Sequence, residues 1–159
     1  MMIEVRRSHR EDFPQILDLL RELWPGRELD EEAVRLVFLE ALSSDSYVYF
    51  SACDQARVVG FASLHILKSL RTAGPFGHLD ELIVAAAVRG RGIGGRLLDA
   101  ATVAAQARNC LRVEFNSGIQ RADTHRFYES RGFERRAFHF FGPPLAKPGT
   151  DPAPAGGPS

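Results

Sequence analysis

Apolar positions recur along this chain with two periods, and each change of period marks a new element. Ile3-Glu4-Val5-Arg6 alternates as a strand does. Phe13, Ile16, Leu17, Leu20 and Leu23 then share one helical stripe, with Ser8 as N-cap, Glu11 three residues on as its capping-box partner, and a stop at Trp24-Pro25-Gly26. A second helix is predicted from Asp30, its cap, to Leu42, with Val34, Val37, Phe38 and Leu42 facing inward. Tyr47 to Ala52 and Val58 to Leu64 flank the polar turn Asp54-Gln55-Ala56-Arg57 and read as a hairpin. After a loop from Arg71 to Gly77 come a strand from His78 to Ala85, a glycine-rich turn, and an alanine- and leucine-rich helix to Arg108. Leu111–Phe115 reads as a strand, Asp123–Arg131 as a short helix, and Phe133–Phe141 as a closing aromatic strand. From Gly142 onward proline and glycine dominate with little to bury, which predicts a disordered tail over 142–159 behind a domain at 1–141. The order β-α-α-β-β-β-α-β-α-β is a mixed α/β pattern around one sheet rather than the strict alternation of a doubly wound fold.

Composition narrows the function classes. With 159 residues, 45% of them apolar, the chain is long enough for one domain with a real core. Lys plus Arg equals Asp plus Glu at 20 each, and that balance argues against a nucleic-acid partner. Cys53 and Cys110 are too few and too scattered for a disulfide framework or a zinc site, and no metal ligand set is expected. No signal-peptide pattern or membrane-length apolar run is seen, so no membrane partner is expected and the cytoplasm is the default compartment.

The charge that matters is local. Between Val88 and Leu98 four glycines, Gly90, Gly92, Gly94 and Gly95, alternate with Arg89, Arg91, Ile93 and Arg96 at the start of a helix. Glycines admit a sharp turn and close approach to a ligand, and a helix start offers unpaired N–H groups and a dipole that suit phosphate. The tract therefore predicts a seat for a phosphorylated cofactor. Gly90-x-Gly92-x-x-Gly95 fits the dinucleotide fingerprint, but several elements precede it where that motif follows the first strand. A Walker A loop needs a Lys-Ser/Thr ending, and Gly95-Arg96-Leu97 lacks it.

A third template, Arg/Gln-x-x-Gly-x-Gly/Ala, is met by Arg89-Gly90-Arg91-Gly92-Ile93-Gly94. With Leu79-Asp80-Glu81-Leu82-Ile83-Val84 before it and His125-Arg126-Phe127-Tyr128-Glu129 and Gly132-Phe133 after it, the chain resembles the GNAT N-acetyltransferase superfamily from Ile3 to about Phe141. The resemblance implies a single-domain, mixed and mostly antiparallel sheet whose central parallel strands splay apart, flanked by helices. It implies acetyl-CoA as co-substrate, its pyrophosphate held along Arg89 to Arg96 and its acetyl end by backbone groups of Ile83 and Val84. The pantetheine arm would lie in the splay as an added strand, near Asn116. The chain departs from the family pattern at Arg121, where many members carry Asn.

An amine acceptor is protonated near neutral pH, and freeing its lone pair at pH 7 costs about 4–5 kcal/mol for a lysine-like pKa. Glu81 is the candidate base, with Asp80 and His78 as rivals; strict alternation would put His78, Asp80 and Leu82 on one face and Leu79, Glu81 and Ile83 on the other. Tyr128 resembles the family's general acid, protonated at neutral pH as a proton donor must be. The Val84 N–H would hold the oxyanion. An acetyl-cysteine route is not expected, since Cys53 and Cys110 adjoin no base pattern. The implied activity is direct acetyl transfer to the primary amine of a small metabolite. A protein or peptide acceptor, or a non-catalytic acyl-CoA-binding module, are the alternatives, and a homodimer pairing its closing strands stays open.

Overall fold

The computed structural model describes residues 1–142, so the tail expected from Gly142 onward lies, but for that one residue, outside the described residues. The chain folds as two compact units, Met1–Phe115 and the part from Asn116 onward.

In the first unit five strands form one sheet in sequential order: β1 (Ile3–Arg7), β2 (Tyr47–Asp54), β3 (Arg57–Ser69), β4 (Gly74–Val84) and β5 (Val113–Glu114). Neighbours through β4 are antiparallel, and β4 and β5 run parallel. This is the mixed, mostly antiparallel sheet that the element order and the family resemblance imply. The parallel pairing is brief, Gly77 with Val113 and His78 with Glu114, after which the two strands part.

Two layers of helix cover the sheet. α1 (Phe13–Leu23) and α2 (Glu31–Leu42) bury Phe13, Ile16, Leu20 and Phe38 against Phe61 and Ile83 on one face. α3 (Ile93–Ala107) buries Leu97, Leu98, Ala101 and Ala105 on the other. Gly60 allows that second layer its close approach, because a Cβ there would meet the Leu97 side chain at 2.9 Å. The second unit contains α4 (Ala122–Glu129).

Several boundaries differ from the sequence reading, each for a tertiary reason. A 3-10 turn, Arg10–Asp12, precedes α1, and Asp12 rather than Glu11 accepts the N–H of the residue opening it, His9, at 2.8 Å. Ser8 caps nothing; its hydroxyl meets that of Ser51 at 2.8 Å, and Ser51 in turn donates to Asp12. Arg6 grips the same buried carboxylate with both guanidinium nitrogens, at 2.7 and 2.9 Å. The loop read at 71–77 is a tight turn, because β3 and β4 continue as a long hairpin to Ser69 and from Gly74. Val37 is 63% exposed, so the inward stripe of α2 is narrower than its periodicity suggested. The strand read at Leu111–Phe115 shrinks to two residues, and Phe133–Phe141 forms no strand; Phe138, Phe140 and Phe141 stand exposed. An alternating pattern becomes a strand only beside a partner edge, and no ladder among the described residues includes this segment.

Candidate active site

The site begins with one extra residue. Ser63 pairs with Glu81 but Leu64 pairs with Leu79, so Asp80 bulges out of the β3–β4 ladder. A bulge resets the alternation of faces. Ser63 and His65 share a face of β3, and their partners Glu81 and His78 therefore share a face of β4, with Leu79 on the opposite side. That corrects the strict alternation predicted from sequence.

Glu81 sits on the face covered by α1 and α2 and reaches a pocket of about 310 Å³. Its walls are apolar, with Trp24, Phe38, Tyr49 and Phe61 among them, and Arg27 is its one other charged residue. The Ser63 hydroxyl donates to the Glu81 carboxylate and accepts the Glu81 N–H at 3.0 Å, fixing both ends of the residue. Burial pushes the Glu81 carboxyl above its ordinary value; Ser63 and His78 pull it down and Asp80 pushes it up. A carboxylate in that condition takes up a proton more readily than an exposed one. His78 and Asp80 are joined at 2.9 Å, and that contact leads in raising the His78 pKa. Of the three rivals only Glu81 lines the pocket.

Next to Glu81 the sheet opens. The Ala85 N–H reaches the Val59 carbonyl at 2.9 Å, so Ile83 and Ala85 turn their backbone groups toward β3. Leu82 and Val84 consequently turn theirs to the outer edge, which β5 has left beyond His78. Of the two residues named for the acetyl end, Val84 presents its N–H outward, while Ile83 is committed to the ladder and buries its side chain. Leu82, missed from sequence, shares that edge with Val84. Only the partner strand's register reveals this.

The glycine turn follows directly. Gly90 and Gly92 hold φ of +76° and +75°, conformations that disfavour a side chain, and a Cβ on either would meet no atom within 4 Å. The ladder of α3 starts with the Arg96 N–H on the Gly92 carbonyl, so the amides of Ile93, Gly94 and Gly95 precede it without a helical acceptor. Free amides at a helix start, beside a turn with open space on its outer side, have the chemistry that suits an anion.

Two of the three arginines hold protein partners. Arg89 donates to the Val84 carbonyl and to Glu22 of α1, both at 2.8 Å, and Glu22 also accepts the Ala86 N–H at 2.7 Å. In this structure its charge secures the bend after β4. Arg96 donates to the Ile3 carbonyl of β1 at 2.9 Å. Arg91 remains exposed, its guanidinium 4.0 Å from the Met1 sulfur.

The other candidates are quickly placed. Asn116 is exposed just past β5. In the second unit Tyr128 lies on α4, its ring 5.2 Å from that of Phe127 and 6.2 Å from that of Phe133, and burial raises its phenol pKa. Asp30 caps α2 through the Ala33 N–H, the ordinary role for that residue. Cys53 and Cys110 carry thiols that burial keeps protonated, which suits neither for nucleophilic work. Among the described residues no group of His, Cys, Asp and Glu is placed to hold a metal, and no helix is long and apolar enough to cross a membrane.

Comparison with known proteins shows the family. The sequence model of the acetyltransferase (GNAT) family matches residues 13–133. The aminoalkylphosphonate N-acetyltransferase of Salmonella typhimurium is 34% identical over 86% of this chain and 88% of its own length. Glucosamine 6-phosphate N-acetyltransferase 1 of Oryza sativa subsp. japonica is 36% identical over 63% of each chain. An aminoglycoside N-acetyltransferase solved with CoA shares the fold, with a TM-score of 0.80, 20% identity, and 91% of this chain and 96% of that one covered. The chain belongs to the GNAT acetyltransferase family and is an acyltransferase with acetyl-CoA as its co-substrate.

Proposed function

We propose that this enzyme acetylates the primary amine of a small molecule by direct transfer within a ternary complex. The observation that carries this reading is a carboxylate, Glu81, set in an apolar pocket beside an unpaired strand edge. A pocket of about 310 Å³ with mostly apolar walls suits a small acceptor better than a polypeptide. The aminoalkylphosphonate and glucosamine 6-phosphate N-acetyltransferases, by their names, also act on small amines.

In this mechanism the outward amides of Leu82 and Val84 align the acyl arm as a neighbouring strand would, and the turn from Gly90 to Gly95, with Arg91, holds the pyrophosphate. Glu81 takes the ammonium proton, directly or through water, and the freed nitrogen attacks the thioester carbonyl carbon. The Val84 N–H meets the oxygen as it gains negative charge. As the C–S bond breaks, Tyr128 gives its phenolic proton to the departing sulfur. Solvent then returns a proton to Tyr128 and removes one from Glu81 and the second from the acylated nitrogen, so the products are an acetamide, a free thiol and one released proton.

Thiol release from acetyl-CoA, measured across small amines, peptides and aminoglycosides, tests the reading. Release with small amines is expected, and release with peptides alone would refute it. Tyr128→Phe should lower kcat by about 10²-fold or more with little change in coenzyme affinity. Equal losses in both would assign Tyr128 to packing.

A further inference from the structure

The pocket beside Glu81 holds two charges of opposite sign, and they stand at different depths. Glu81 is the half-buried one, fixed by Ser63. Arg27 is exposed on the segment between α1 and α2, its guanidinium over the Trp24 ring at 5.5 Å from the ring centre. Among the described residues no carboxylate pairs with Arg27. Between them the walls are Trp24, Phe38, Tyr49 and Phe61 with aliphatic side chains. Phe38 stacks on Tyr49, and Tyr49 meets Phe61 edge-on, so these rings form a continuous apolar surface.

We infer that the acceptor is a primary amine carrying an apolar, ring-sized body and an anionic group at its far end. The inference rests on the amine-acetyltransferase reading above and names the substrate class of that same site. The ammonium end meets Glu81, the body fills the space between the rings, and the anion meets Arg27. Each part follows from complementarity. Hydroxyl-rich acceptors would leave their hydroxyls unsatisfied against these walls. A short aminoalkyl acid would satisfy both charges yet leave the rings uncovered, forgoing a benefit on the order of ten- to a hundredfold. Arg27 is planar, permanently charged and held against Trp24, a disposition that suits a carboxylate or phosphonate.

A matched set of acceptors tests this with the full chain: 4-(aminomethyl)benzoate, benzylamine, 2-aminoethylphosphonate and glucosamine 6-phosphate, each assayed by thiol release. The aromatic acid should have the highest kcat/KM, exceeding benzylamine on the order of tenfold. In Arg27→Gln that ratio should fall to about one, through KM rather than kcat. In Arg27→Glu it should invert. A preference for 2-aminoethylphosphonate or glucosamine 6-phosphate would overturn the inference while leaving small-amine acetylation standing. So would equal use of the acid and benzylamine, or an unchanged ratio in Arg27→Gln. Absence of release from all four, with release from peptides, would overturn both.

Discussion

Glu81 combines two roles that oppose one another. Burial raises its carboxyl pKa, which helps it accept a proton but makes its charged form costly to the fold. Because the raised pKa belongs to the folded state, this group's contribution to stability falls as pH rises through that value. Glu81→Gln should therefore lose about 10²–10⁴-fold in kcat while melting at or above the parent's temperature, as a thermal scan beside a turnover assay would show. Ser63 works in the opposite direction, since its hydroxyl favours the charged carboxylate. In Ser63→Ala the acid limb of kcat against pH, at saturating amine, should move to higher pH. A limb that stays in place would remove Glu81 from the base role.

Among the elements, the turn between β4 and α3 is the most demanding. Gly92 is the N-cap of α3 with φ of +75°, so an alanine there incurs backbone strain of about 1–2 kcal/mol. Asparagine tolerates that conformation better, and a side chain at this position meets no protein atom within 4 Å. Gly92→Asn should thus melt close to the parent yet bind acetyl-CoA on the order of tenfold more weakly, read by calorimetry. Unchanged affinity would move the pyrophosphate away from this turn. The turn was legible in the sequence because glycine spacing and a helix start are local signals. The destinations of Arg89 and Arg96 were not, since Glu22 and the Ile3 carbonyl lie 67 and 93 positions away. The bulge at Asp80 was equally hidden, because a register shift exists only relative to another strand. The same dependence explains the missing strand at 133–141, where the pattern was present and the neighbour was not.

For the molecule as a whole, stability and ligand binding are linked. A coenzyme that binds only the folded chain should raise the melting temperature, by about 5–10 °C at a hundred times its Kd. No shift in a folded sample would contradict the assigned co-substrate. A second handle is the buried set of Arg6, Asp12 and Ser51, which ties β1 to the start of α1. Desolvation alone would raise the Asp12 pKa, but Arg6, the His9 amide and Ser51 outweigh it and the net direction is down. That depression supplies stability at neutral pH that disappears as pH drops through the folded-state value. Asp12→Asn should flatten the acid side of a denaturation series and weaken the parent at pH 7 by about 1–3 kcal/mol. Composition and periodicity revealed the core of α1 and the β2–β3 hairpin. They could not show Ser51 beneath Asp12, a contact between residues 39 apart.

The supernumerary residue in β4 also bears on how the gene can change length. Removing codon 80 would restore regular pairing and leave His78 and Glu81 on their shared face, whereas removing codon 82 would make Glu81 and Ile83 adjacent and turn one of them away from the face they now share. The turn at Leu70–Ala73, by contrast, can gain or lose residues without altering which side chains look inward. Indels among natural or laboratory variants should therefore accumulate at the tip of this hairpin and be purged from the paired positions of its catalytic arm.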